Sequence, residues 1–311
     1  DAFWFPPGAS APVHLNPGDA DVTVQQDDVL PSLGLMLEAT KELTLRASYG
    51  QTIAHQTFKE LTPIMQQEFL GGPVFIGNPE LRMSALKNYD LRADYVPYEG
   101  ALCSASWFQK DITDPIEYVQ RLAGFTYTTP INYPKGEMTG YEFELRQELE
   151  HLWRELHGFS FGANATFIDS KVTLPADEAL AFSEPGIAAP MTSRDMTNAP
   201  DHLYNFFLTY DFDGAGTQIG LFYTVQGDTL IAGAGESLGN FIPSLYAKEY
   251  DTLNLTLSHV LGKHLKLTLQ AKNLTNPRIE EIYRSTYIGS DVTKTSYTKG
   301  IEYSLALTLN L

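Results

Sequence analysis

Nowhere in this chain do 18 apolar residues follow one another, so it encodes no transmembrane helix. Cysteine is almost missing: Cys103 stands alone, which excludes an internal disulfide. In Ala101-Leu-Cys-Ser-Ala-Ser-Trp107 it falls on the apolar side of an alternating pattern. That is the place of a small packed or lipid-facing residue rather than a nucleophile. Basic side chains are scarce, 21 Lys and Arg against 38 Asp and Glu, for a formal charge of -17. Binding to nucleic acid needs a basic face, so that class of partner is excluded. A signal peptide is lacking too. The chain opens on Asp1 rather than Met, and the reading is a fragment or processed piece.

Catalytic signatures are equally sparse. Gly233-Ala-Gly-Glu-Ser-Leu-Gly239 has the wrong spacing for a dinucleotide fingerprint and no βαβ context. Asp211-Phe-Asp-Gly214 opens like a calcium loop, but the later ligands are missing, so it reads as a turn. His151 and His157 flank Glu150 and Glu155 at a spacing that is no known metal signature, and no metal or other cofactor is predicted. No nucleophile–base pair is recognisable, which argues against an enzyme.

Aromatic residues and alternation are what the chain has in quantity. Seventeen Tyr and seventeen Phe would furnish the aromatic girdles of a membrane barrel. The last twelve residues, Gly300 to Leu311, alternate apolar and polar without a break. Period two is the strand period, and about 9–11 tilted residues cross a bilayer as a β-strand. The same alternation recurs at 33–37, 43–49, 89–95, 101–107, 141–145, 159–167, 204–210, 219–225, 253–257 and 265–271. This predicts about 11 strands in an all-β, antiparallel transmembrane β-barrel. Bacterial single-chain barrels close on an even strand number, so 11 reads as half of a 22-stranded barrel, the size associated with plugged transporters. The predicted division is residues 1–28 as an extracellular loop or the end of a preceding strand, and 29–311 as the carboxy-terminal barrel half. A soluble β-sandwich is the competing fold, disfavoured by strand length.

Short turns are expected at 40–42, 97–100, 213–216 and 261–264, with a longer one at 148–157. Long stretches at 53–84, 111–135, 171–201, 228–248 and 276–298 alternate with them. Short turns on one side and long loops on the other are the habit of outer-membrane barrels. The polar faces carry charge: Asp90, Arg92 and Asp94 on one strand, Glu142, Glu144 and Arg146 on another, Arg46 on a third. An Arg or Lys turned to lipid at the midplane costs about 2–4 kcal/mol, so these residues are predicted to line the lumen. There they would either grip a plug or pair across strands. In the long loops, Tyr127, Tyr133, Tyr283, Tyr287 and Tyr297 could stack on a ligand or form an outer aromatic girdle with loop packing.

Several segments, in order, resemble TonB-dependent outer-membrane receptors. They are Leu45-Arg-Ala-Ser-Tyr-Gly-Gln-Thr-Ile-Ala54 followed by Phe58-Lys-Glu-Leu61, and Gly77-Asn-Pro-Glu-Leu81 followed by Asn88-Tyr-Asp-Leu91. Gly140-Tyr-Glu-Phe-Glu-Leu145, Asn198-Ala-Pro-Asp-His-Leu203 and Ala271-Lys-Asn-Leu-Thr-Asn-Pro277 continue the series. Two departures are His55-Gln56, where relatives often have Arg-Pro, and Leu311, where an aromatic is usual. The resemblance implies uptake of a scarce nutrient, such as a ferric siderophore, haem, cobalamin or oligosaccharide, across the outer membrane of a Gram-negative bacterium. Implied partners are the TonB–ExbB–ExbD complex, an N-terminal plug and barrel half, outer-membrane lipid, and a small-molecule or glycan ligand. By the same resemblance His55 is a candidate haem-side ligand. A passive porin, and more remotely a barrel-embedded hydrolase, are the alternatives.

Overall fold

A computed structural model describes residues 2–4, 13–16, 18, 23, 25–67, 72–122, 124–212, 216–237, 239–262 and 264–309. Eleven long strands form one antiparallel sheet in strict chain order. They are β1 (Ser32–Glu38), β2 (Leu43–Ala54), β3 (Ser84–Tyr95), β4 (Ala101–Thr113), β5 (Lys135–Glu148) and β6 (Phe159–Thr173). The series runs on through β7 (His202–Phe212), β8 (Thr217–Gln226), β9 (Tyr250–Leu261), β10 (Leu265–Lys272) and β11 (Glu302–Leu309). Each answers one of the eleven alternating segments. Gly300 and Ile301 precede β11, and residues 310 and 311 lie outside the described set, as do 213–215 of one predicted turn.

The strands outrun their apolar patterns. β6 is 15 residues long, about 50 Å at the usual strand rise, and β5 is 14. Their upper halves carry mixed sequence because they stand above the apolar band and join the loops. Antiparallel neighbours keep the alternation in register. Leu45, Ala93, Ala105, Phe143 and Ala165 form one continuous rung across five strands. The apolar side chains on this face are exposed: Leu35 by 65%, Leu91 by 52%, Phe143 by 48% and Leu305 by 66%. A face that is both apolar and uncovered over the whole sheet is what hydrocarbon requires of a barrel exterior. Among the described residues no helix is long and apolar enough to cross a membrane.

The connections alternate as expected, and the long ones are not bare coil. Residues 55–83 and 114–134 contribute a four-stranded sheet built from Met65–Gln66, Val74–Ile76, Ile116–Leu122 and Thr126–Asn132. Residues 227–249 and 273–301 build a second from Thr229–Ala232, Ser244–Ala247, Ile279–Arg284 and Val292–Tyr297. Two helices, α1 (Phe58–Leu61) and α2 (Ala176–Ser183), complete this cap. The buried apolar core lies here and against the loop-side ends of β4 and β6. Val119, Tyr133, Val172, Leu174, Phe182 and Met196 pack together above the barrel wall.

Two of the quoted motifs explain each other. Thr57 and Glu60 form a reciprocal capping box around α1, the Phe58-Lys-Glu-Leu61 turn. The Gly77-Asn78 backbone then docks on that turn, with Gly77 N–H donating to Thr62 O (3.1 Å) and Asn78 N–H to Glu60 O (2.6 Å). A Cβ on Gly77 would lie 2.4 Å from Thr62 O, so only glycine permits the approach. Near the other end, Asn273 and Asn276 take positive φ and clasp Gly300 from both sides. Asn273 Nδ2 donates to Gly300 O (2.6 Å), and Gly300 N–H donates to Asn276 Oδ1 (2.9 Å). That clasp ties the exit of β10 to the approach to β11.

Candidate functional site

The lumen face and the loop cap hold the chemistry. On the face opposite the apolar one, five of the predicted charges, Arg46, Asp94, Arg92, Glu144 and Arg146, meet as one ladder across β2 to β5. Arg46 pairs with Asp94. Asp94 also accepts from Arg92 Nε (2.7 Å) and Ser104 Oγ (2.6 Å). Arg92 reaches on to Glu144 (3.0 Å), whose other oxygen takes Arg146 (2.6 Å). Asp90 accepts from Ser48 Oγ (3.3 Å), and Glu142 shares a recess with Asp90, Arg92 and Lys110. Asp94 at the centre of the ladder is buried, while Arg46 and Arg146 remain 48% and 63% exposed at its ends.

In the cap, a buried polar chain crosses between loops. Glu117, with no exposed surface, accepts from Arg194 Nη1 (2.6 Å) and from the Thr197 N–H (3.0 Å). The Arg194 guanidinium stands 4.7 Å over the Tyr133 ring, and Tyr133 OH donates to Glu178 Oε1 (2.8 Å). Arg121 lies 3.6 Å from Glu178 Oε2. Burial pushes the Glu117 carboxyl and the Tyr133 phenol above their ordinary values, against the pull of Arg194. Burial, with the neighbouring Asp195 carboxylate, likewise pushes the Tyr246 phenol up to about 12.

Through Arg121 and Glu178 the polar network reaches a cavity of about 390 Å³ where four long loops converge. Asn78, Glu80 and Arg82 come from the first loop, Arg121 and Asn132 from the second, Asp177 and Glu178 from the third, Glu236 from the fourth. Arg82 is already paired with Asp114 (2.6 Å) and Arg121 with Glu178. Glu80, Asp177 and Glu236 have no ion pair among the described residues, so the cavity carries excess negative charge.

The predicted ligand-side residues scatter. Tyr133 is wholly buried and Tyr127 is 3% exposed. Both serve the cap core, and a ligand could not stack on either in this conformation. Tyr283 is partly buried under Lys294, whose Nζ is 5.6 Å from the ring centre. Tyr287 is exposed, with its OH donating to Pro190 O (2.6 Å). His55 is exposed between β2 and α1. None of these lines the four-loop cavity. The cavity residues and the Glu117–Arg194 pair escaped the sequence reading because irregular loops leave no periodicity to follow.

A family model for "TonB dependent receptor-like, beta-barrel" matches residues 10–274. The chain belongs to the TonB-dependent receptor family. Solved structures agree with the family's barrel fold. A mutant of the ferric enterobactin receptor PfeA of Pseudomonas aeruginosa, in complex with enterobactin, is 17% identical with a TM-score of 0.57, covering 90% of this chain and 40% of that one. The FrpB iron transporter of Neisseria meningitidis gives 12% and 0.58, covering 90% and 39%. The siderophore receptor PirA of Acinetobacter baumannii gives 16% and 0.57, covering 90% and 40%. The receptor barrel described here therefore spans about 40% of those chains. A comparison with curated proteins found no match. The family is one of outer-membrane receptors and transporters of Gram-negative bacteria, not of enzymes.

Proposed function

We propose that this chain is the carboxy-terminal barrel half of an active transporter that takes up a scarce nutrient across the outer membrane, coupled to TonB, ExbB and ExbD. The observation that carries the reading is a family barrel with a charged ladder on its polar face and a polar cavity where four long loops converge. β1 and β11 are exposed sheet edges, and a bilayer does not tolerate unpaired strand edges. Eleven further strands closing a 22-stranded barrel would satisfy both. A plug seated against Arg46, Arg92 and Arg146 would complete the device. In that orientation the long loops face outward and the short turns face the periplasm.

The cavity also bears on cargo. Three carboxylates without ion-pair partners disfavour a polyanion and favour a cargo with positive charge or many N–H and O–H donors. Neighbouring structures name enterobactin, iron and siderophores as their own ligands. An iron complex of neutral or positive charge fits the cavity's excess of carboxylates. The test is binding and uptake of a panel of ferric complexes of graded charge, in wild type and in the double variant Asp177→Asn with Glu236→Gln. The expected outcome is a preference for neutral and cationic complexes that the double variant narrows at least tenfold. Tighter binding of polyanionic complexes by the wild type would sink the cargo assignment. Uptake that persists without TonB would sink the transport mechanism.

A further inference from the structure

We propose that the turn between β5 and β6 is a binding site for one divalent transition-metal ion of the zinc, nickel or copper class, with Glu148, Glu150, His151 and His157 as its ligands. The site lies at the short-turn end of the barrel, opposite the loop cavity, and is independent of the cargo assignment. Its ligands all come from ten consecutive residues, Glu148-Leu-Glu-His-Leu-Trp-Arg-Glu-Leu-His157. Their spacing is unremarkable in sequence, but the fold converges Glu148, Glu150 and His151 and sets His157 against Glu150. Two successive 3-10 turns, Leu149–His151 and Arg154–Leu156, reverse the chain. Side chains three apart nearly eclipse on such a turn. Glu148 and His151 accordingly share one side, with Nδ1 of His151 3.9 Å from Glu148 Oε2. The second turn returns His157 to Glu150, and its Nδ1 contacts the carboxylate.

Ligand atoms of Glu148, Glu150 and His151 lie within 4.8 Å of one another. Tetrahedral coordination at 2.0–2.2 Å asks for separations of roughly 3.3–3.6 Å. These three side chains, and His157 beside Glu150, are each at least 37% exposed, so each can turn toward a shared ion. The frame beneath them is fixed. Tyr98 from the neighbouring turn stacks on the His151 ring at 5.0 Å, and its OH donates to Gln147 Oε1 (2.9 Å). Glu148 N–H donates to Gly100 O (2.8 Å). Such outer contacts orient a ligating imidazole. Two neutral imidazoles and two carboxylates make an N₂O₂ set whose charge a dication neutralises. That set suits zinc, nickel or copper, whereas calcium and magnesium call for six or more oxygens.

The test uses the full-length receptor in detergent, stripped with chelator and titrated calorimetrically with Zn²⁺, Ni²⁺, Cu²⁺ and Ca²⁺. One transition-metal ion per chain is expected, bound at least tenfold more weakly by the double variant His151→Ala with His157→Ala. His202→Ala serves as the control and should bind as wild type does. Electron paramagnetic resonance of the Cu²⁺ form should show two coordinated nitrogens. Equal affinity in wild type and double variant would overturn the site, as would Ca²⁺ binding as tight as Zn²⁺. Should the double variant fail to assemble, the nitrogen count in the wild-type spectrum decides: two support the site and none overturns it.

Discussion

Arg194 holds two loops through a single guanidinium that is only 8% exposed. Removing one partner of a buried pair strands the other charge, at a cost of about 3–5 kcal/mol. Arg194→Ala should therefore loosen residues 114–134 and 174–201, seen as faster amide exchange and protease cleavage there, with the barrel wall unchanged. Replacing both partners, Arg194→Met with Glu117→Gln, should recover most of the loss, because no charge is then left buried alone. Asp228 gives a pH-dependent counterpart. Burial would raise its carboxyl, but Arg284 (2.6 Å) and the Glu249 N–H (2.7 Å) hold it below the ordinary range. A depressed folded value means the tie is fully present above the unfolded value near 3.9 and is lost as pH falls through the folded one. The pair is about one-third exposed, so the tie is worth ~1 kcal/mol or less. Asp228→Asn should raise amide exchange in 227–249 at neutral pH and flatten its acid dependence below pH 4. Wild-type exchange that stays constant down to pH 2 would contradict this. Neither ion pair was legible beforehand, since one joins residues 77 apart and the other residues 56 apart.

At the scale of elements, the strands were legible because lipid on one side and lumen on the other impose an unbroken two-residue period. All eleven segments form the wall, in chain order. Their ends were less legible. β5 begins six residues before its apolar pattern, where Lys135 to Gly140 extend the wall by pairing with β4 and β6. Small residues inside strands also gain their meaning from neighbours. Gly140 faces Phe108 across the sheet, and a Cβ there would meet that ring at 2.3 Å and the Phe167 carbonyl at 2.6 Å. Gly162 is covered in the same way by Phe207. Gly140→Ala should displace Phe108 and destabilise the folded barrel by about 1–3 kcal/mol, the usual cost of overpacking. Urea-dependent refolding into lipid would measure it. An unchanged midpoint would mean that the wall yields freely at this place.

For the whole molecule, the question is what the lumen ladder is for. Arg46, Arg92 and Arg146 each have carboxylate partners within the wall, yet two of them stay largely open to the lumen. If they also hold a plug, replacing all three by Gln should slow uptake severalfold while assembly and thermal stability of the barrel barely change. Normal transport by the triple variant would reduce the ladder to cross-strand pairing. The sequence by itself determined the wall: strand number, the lipid-facing side, the side carrying charge, and which connections are long. Those follow from a local rule, since a bilayer constrains each strand residue by residue. Tertiary structure alone decided the cap, where Tyr133 became core, four loops enclosed a cavity and a ten-residue turn drew its histidines beside its glutamates. Such contacts join residues whose separation follows no period, so only the folded chain brings them together.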